Sequence, residues 1–425
     1  MAGNSFEMAG ELSADVAIVG GGLAGGLIAL ALAHLRPECR LLLIEAGEGA
    51  GGNHPASFFA SDIADGDAWL LEPLVTAAWP QCEARFPRFL RVLRMPYRTI
   101  GGERLDSVLR QTLPAEAVLS GVAVTRVERE RVTLADGRVV RAGGVIDARD
   151  SAGFPELSGG WQVFLRRTVR LTKPHALARP VVMDARVLQR DGFRVGRYLP
   201  LAPDTLLVED TYYTDGSELE GGKLDERLRA QCAISGWQVA EVLGEETGKL
   251  PIIARGRFAE LWPAGESAPA LAGRRAGLFH PLTGNTVACA VKLALHVAEL
   301  PDLSGEALAR STRAFAAEHW RRGGYYRMLA RLMFGAALPK RRYKLLERFF
   351  SLERERIERF HAGTLSTRDK LRVLAGRPPV PVLRALSALL GGGFPLAPLG
   401  APEPRPSVAA PIPAEPPLTT AAAGG

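Results

Sequence analysis

Five glycines packed between a strand and a helix constrain this chain more than any other feature. In "DVAIVGGGLAGGLIALALAHL", residues 15–35, no charged or hydrogen-bonding side chain occurs from Val16 to Ala33. That length reaches the threshold of about 18 apolar residues for a membrane span. Gly20, Gly21, Gly22, Gly25 and Gly26 argue against one, because each costs about 1 kcal/mol in a helix interior relative to alanine. A strand, a tight turn and a buried helix account for the run better. "CRLLLIEAG" then reads as the next strand, completing a βαβ unit.

The spacing Gly20-x-Gly22-x-x-Gly25 opens the helix directly after the strand, and Glu45 ends the second strand 20 residues after Gly25. Glycines there let backbone approach a pyrophosphate that rests on the helix N-terminus, and the acid accepts hydrogen bonds from ribose hydroxyls. The bland alternative is a glycine turn that only packs. A later segment, "GLFHPLTGNTVACAVKLALHVAEL", reads as a second strand, turn and helix. Thr283, Gly284 and Asn285 in that turn suggest a flavin rather than a nicotinamide, with the helix dipole favouring an anionic reduced ring. The competing reading is an ordinary connection with His280 as a satisfied core residue.

The chain has 425 residues, enough for two or three domains. Its expected fold class is α/β, a Rossmann-like dinucleotide-binding domain interleaved with a β-sheet substrate domain and followed by a helical region. The expected layout is 14–150 for the first part of the dinucleotide domain, 151–265 for the substrate sheet and 266–300 for the return. A basic helical region at 301–390 and a disordered Pro/Ala-rich tail at 391–425 follow. "AWLLEPLVTAAW" and "PRFLRVLRM" read as helical. "AVTRVERERVTLADGRVVRAGGVIDARD" reads as an antiparallel ribbon turning at Asp136-Gly137. Cys39, Cys82, Cys232 and Cys289 are widely separated, with no C-x-x-C pair and no histidine cluster. This suggests neither a disulfide framework nor a metal site, and fits a reducing cytoplasm. The first residues do not read as a secretory signal.

"LPLAPDTLLVEDTYYTD" carries two adjacent acids, Glu209 and Asp210, behind the apolar run Leu206-Leu207-Val208. Successive side chains of a strand point to opposite faces, so one acid faces a site and the other turns away. An acid at the end of an apolar strand is desolvated, which favours its protonated form. Read blandly, the segment is a strand end entering a polar turn.

"GGWQVFL", "PVVMDARV", "YLPLAP", "LLVEDTYY", "GKLPI", "GLFHPLTGNTVACAV", "LLERFF" and "IERFHAGTLSTRDKLRVLAGRPPVP" occur in this order over most of residues 14–385. Together they resemble the bacterial lycopene β-cyclases. The resemblance implies a flavoprotein that closes β-ionone rings at the ends of lycopene without net redox change. It implies a requirement for reduced FAD, with NAD(P)H as reductant, and carries the family's proposed essential acid onto Glu209. Asp210 then becomes structural, and Tyr212, Tyr213 and Trp161 are the local candidates for cation–π stabilisation. Alternatively, the reduced flavin is the proton donor and Glu209 takes the closing proton. Four positions depart from the family's usual residues: Ala56 replaces a tryptophan, Phe59 a histidine, Asp150 a glycine and Asn285 a tyrosine.

Rival readings are a flavin-dependent monooxygenase acting on an isoprenoid and a carotenoid or lipid carrier without catalysis. Charge bears on the partner. Residues 321–380 hold 16 Lys/Arg against five Asp/Glu, while the whole chain carries a formal +7. The basic residues there alternate with Leu, Phe and Ile, which suits an amphipathic helix on anionic lipid better than nucleic-acid binding. The expected location is cytoplasmic, peripheral on the inner membrane. The bland alternative packs those apolar residues in the core.

Overall fold

A computed structural model describes residues 12–400 apart from 53–54, 152, 219–220, 263–264, 266 and 377–378. The apolar strand Leu12–Val19 lies inside a seven-stranded sheet. It pairs in parallel with Leu41–Ile44 on one side and with Val139–Asp147 on the other. Burial on both faces explains why these strands read as nearly continuous apolar runs. The helix Leu23–Leu35 follows the glycine turn and packs against the helix Val287–Ala298. The expected ribbon is present: Val124–Val127, Arg131–Leu134 and Val139–Asp147 pair antiparallel, and Gly137 adopts a positive φ of 89° in the turn.

The second sheet has eight strands. Its central order is Val239–Arg255, Phe154–Leu171, Thr205–Thr214, Phe193–Ala202 and Val181–Asp184, continued by the hairpin Cys82–Phe86 and Phe89–Leu93. The fold class is the α/β arrangement expected from the sequence, with helices at the C-terminus.

Several local expectations are corrected. "AWLLEPLVTAAW" forms short 3-10 turns and the strand Val75–Trp79, and "PRFLRVLRM" contains the strand Phe89–Leu93. Pro73, Pro80, Pro87 and Pro96 punctuate both segments, and proline interrupts helices. Alternating exposure along Phe89–Leu93 is the strand period that the leucines disguised. In the return segment, the strand is Ala270–Leu271 rather than "GLFH". Ala397–Leu399, placed in the tail by composition, is a strand paired with Phe154–Leu171, and Leu399 is fully buried. The rest of the expected tail, 401–425, lies outside the described residues.

The helices Gly324–Gly335, Tyr343–Phe349 and Arg354–His361 cover one face of the second sheet. Met333, Phe334, Phe349, Phe350, Ile357 and Phe360 point into that core, so the apolar stripe expected to lie on lipid packs inward instead. Each such side chain stabilises the fold by roughly 1.5–3 kcal/mol. Gly160 leaves room for Phe334, since a Cβ there would meet the ring at 2.2 Å. Buried Arg342 ties this layer to the sheet by donating to Met333 O at 3.0 Å and Tyr213 O at 3.1 Å.

Candidate active site

A cavity of about 490 Å³ lies between the two sheets. Gly20, Gly22, Glu45, Glu209, Thr283, Gly284 and Asn285 all line it. The fold thus brings together residues spread over 265 positions of sequence.

Gly20 holds a φ of +103°, and a Cβ there would press on the Ala148 backbone at 2.9 Å. A Cβ on Gly22 would meet nothing within 4 Å, so a side chain there would extend into the cavity. Gly25 does not line the cavity. A Cβ on it would stand 2.0 Å from Gly20 O, so its role is close packing of helix on strand. Glu45 braces the turn, accepting from Gly21 N at 2.6 Å and Gly47 N at 2.8 Å. Both carboxylate oxygens therefore already serve backbone, which the ribose reading did not anticipate.

At the other end, Gly284 sits at φ +70°. Asn285 donates to Ser57 O at 2.9 Å, and its Oδ1 accepts from Val287 N at 2.9 Å, holding the turn onto the helix Val287–Ala298. His280 is a core residue, as in the bland reading of this connection. Its Nδ1 accepts from Leu282 N and Thr283 N, and Nε2 meets Phe360 O at 3.2 Å. Burial pushes its pKa down to about 3, with His361 adding in the same direction.

Glu209 and Asp210 separate as strand alternation requires. Asp210 faces away from the cavity, where Arg194 donates to it at 2.8 Å and the Tyr212 hydroxyl donates at 2.8 Å. Burial pushes the Asp210 carboxyl up, against the pull of Arg194. Glu209 is buried but lines the cavity, and it is ion-paired rather than isolated among apolar groups. Arg197 donates to its Oε2, the Thr211 hydroxyl donates to Oε1 at 2.8 Å, and Arg166 Nη1 stands 3.7 Å from Oε2. Burial works against the charge of Arg197, but the Glu209 carboxylate and Tyr97 more than offset it and raise its pKa.

These charges form one row. Arg197, Glu209, Arg166 and Glu246 are register partners across four adjacent strands, and all four line the cavity. Sequence reasoning missed Arg197, Arg166 and Glu246. For Arg197 and Arg166 the available signal was a charged residue within or at the end of a buried strand run, whereas Glu246 follows an exposed run of its strand and gave no such signal. The aromatic candidates are also corrected. Trp161 and Tyr212 belong to the core on the Asp210 face, whereas Tyr213 shares the Glu209 face without lining the cavity. Phe164 is the aromatic side chain among the described lining residues, with Arg166 5.2 Å from its ring centre.

The donor set fits a flavin dinucleotide. The N-terminus of Leu23–Leu35 opens on the cavity at Gly22 with no side-chain cap, and free helical N–H groups suit a pyrophosphate. Arg149 and Arg274 line the same region. Buried Gln162 Oε1 has no hydrogen-bond partner and lies close to Gly284, placing an acceptor for a ring N–H beside the second turn. Among the described residues no group of three His, Cys, Asp or Glu could hold a metal, and all four cysteines are free.

Comparison with known proteins agrees with this plan. A lycopene β-cyclase from Pseudescherichia vulneris is 43% identical over 376 residues, covering 88% of this chain and 97% of that protein. One from Pantoea ananas is 39% identical over 376 residues, covering 88% and 98%. Among solved structures, the flavin-dependent brominase Bmp2 shares the fold at a TM-score of 0.58 and 13% identity, covering 83% of this chain and 94% of that one. The family described as "Lycopene cyclase protein" matches residues 15–387, and the chain belongs to that family.

Proposed function

We propose that this protein is a lycopene β-cyclase that binds FAD in the inter-sheet cavity and closes the linear ends of lycopene into β-ionone rings. The observation that carries this reading is the meeting of Glu209 with the Gly20–Gly22 and Thr283–Asn285 turns in one cavity of a lycopene cyclase family member.

Ring closure adds a proton to a terminal double bond, leaving a tertiary carbocation. The neighbouring double bond attacks it, and the ring cation loses a proton, so protons and electrons balance without an oxidant. Gly20, Gly22, Thr283 and Gly284 would hold FAD, which in its reduced form, maintained by NAD(P)H, would supply negative charge to stabilise the cation. The chain's own residues do the rest. Glu209 gives the opening proton and recovers the closing one. Arg197 and Thr211 hold its two oxygens in place. Burial between the sheets keeps water from trapping the cation.

The pairing of Glu209 with Arg197 and Arg166 favours a second reading, in which Glu209 only removes the closing proton. Glu209→Gln separates the two. Loss of all lycopene consumption supports the first, whereas consumption with hydrated or isomeric end groups supports the second. Anaerobic conversion of lycopene by purified protein with pre-reduced flavin tests the function itself. β-Carotene or γ-carotene is expected. Oxygenated product formed with stoichiometric oxygen use would instead identify a monooxygenase.

Attachment to the membrane is peripheral in this reading. No helix among the described residues is long and apolar enough to cross a membrane, and the substrate resides in lipid.

A further inference from the structure

A second cavity, of about 420 Å³, opens among the C-terminal helices. It falls in the roughly 300–1,000 Å³ range of small-molecule sites. Its walls include Leu282, Leu329, Met333, Phe349, Phe360 and Leu389, and Arg348 is the one charged side chain among the described residues lining it. A cavity so lined suits apolar ligands. Leu282 belongs to this wall while Thr283 belongs to the wall of the first cavity. The two chambers therefore adjoin at the turn where a flavin ring is expected.

The outer side of this chamber is unusual for a surface exposed to water. In the helix Val382–Leu390, Ala385 and Leu389 line the cavity, yet Leu383 is 82% exposed and Leu390 80% exposed, with Leu386 also exposed. A helix apolar on both its inner and outer faces marks a contact with lipid or with another apolar surface. Exposed Leu371 and Leu374 on the neighbouring helix Thr367–Leu374 extend the patch. Nine residues rise about 14 Å, less than half of a bilayer core, so the helix lies in the interface rather than across it. Arg368 and Arg372 beside the patch, and Lys340 and Arg341 beside exposed Leu338, are themselves exposed. Cations rimming an apolar face match anionic headgroups over acyl chains.

We infer that the helices Thr367–Leu374 and Val382–Leu390 form a portal seated in an anionic bilayer. The cavity beneath them holds the hydrocarbon chain of the polyene while its end reaches the flavin turn past Leu282. This rests on the carotenoid-cyclase reading and adds the route by which that substrate arrives.

The test uses the full-length, flavin-loaded protein and a Leu383→Glu/Leu386→Glu variant, whose substitutions lie on the exposed face. Wild-type protein is expected to float with phosphatidylglycerol vesicles and to convert lycopene supplied in them. The variant is expected to lose vesicle partitioning and vesicle-supplied conversion by about tenfold or more, while flavin content and conversion of detergent-solubilised lycopene stay unchanged. Ala385→Trp, which fills the chamber, is expected to lower conversion from both sources with vesicle binding intact.

Undiminished vesicle binding and conversion in the double variant overturn the portal. So does a wild-type dimer that the variant dissociates without lipid, which makes the patch a contact between copies. Flotation that appears only after deletion of residues 401–425 also overturns it, since the patch would then be covered by the chain itself. Failure of the wild type on detergent-solubilised lycopene strikes the cyclase reading instead, while flotation still tests the surface independently.

Discussion

Arg197 stands directly opposite Glu209 on the neighbouring strand and donates to its Oε2 inside the cavity wall. Arg166 faces Glu209 from the other side and is itself opposite Glu246, so the charges alternate across four strands. A carboxylate in such a row is held by partners on both sides, which fixes the direction in which it meets a ligand. Arg197→Leu leaves part of this pairing unmade, and breaking a buried pair costs roughly 3–5 kcal/mol. Because Arg166 remains near Glu209, a loss near the lower end is expected in urea unfolding. The double variant Arg197→Leu/Glu209→Leu should recover much of it, with a coupling energy readable from the cycle.

On activity, Glu209→Gln is expected to lower β-carotene formation by about 10²–10⁴-fold, the usual contribution of a proton-transferring group. Flavin content should remain normal, because Glu209 is not part of either glycine turn. Normal β-carotene production by this variant removes Glu209 from the mechanism.

Two glycines of one motif are expected to fail differently. Gly22→Val places its side chain in open cavity space, so the protein should fold but be purified without flavin. Gly25→Val drives a Cβ into Gly20 O from 2.0 Å, so it should lower the melting temperature and the soluble yield. Circular dichroism melts and flavin absorbance distinguish these outcomes.

His280 links acidity to stability. An unfolded His280 takes up a proton near pH 6.5, whereas the folded protein resists this until about pH 3 because the ring is buried. Its contribution is complete above pH 6.5 and is lost as pH falls, by up to about 1.4 kcal/mol per unit. His361, partly buried and pushed down to about 4 by desolvation, acts in the same direction. His280→Gln is expected to be less stable at pH 7 and to show a shallower decline between pH 6.5 and 4 in denaturant titrations.

Asp62 works with the opposite sign. Burial pushes its pKa up to about 7, and its Oδ1 lacks a partner while Oδ2 accepts from Phe59 N at 3.1 Å. The folded protein therefore holds a proton there that the unfolded chain releases near pH 4, and stability falls as pH rises from about 4 through 7. Asp62→Asn keeps an acceptor for Phe59 and removes the titration. It should stabilise the protein by on the order of 1–3 kcal/mol at pH 8, with little change at pH 4. Equal stability of the two proteins at pH 8 contradicts this role for burial.

Much of the site could be read because local rules govern it. The Gly20–Gly25 spacing needs only one turn between one strand and one helix, and the separation of Glu209 from Asp210 needs only the two-residue period of a strand. The errors arose where local patterns were ambiguous or partners were distant. Leu70, Leu71 and Leu74 suggested a helix, but the prolines around them permit only short turns and strands. Glu209 looked like an isolated acid because Arg166 lies 43 residues away and Glu246 lies 37 residues away in sequence.

By itself, then, the sequence determined the βαβ glycine turn, the second turn at Thr283–Asn285 and the separation of Glu209 from Asp210 onto opposite faces, since each follows from backbone period and steric limits within a short segment. Tertiary structure alone decided that Arg197 and Arg166 bracket Glu209, because strand register sets charge pairing. It also decided which leucines of the basic helical region face outward. Amphipathic periodicity marks an apolar stripe without saying what covers it: for Phe334 the cover is the second sheet at Gly160, whereas Leu383 and Leu390 are left exposed.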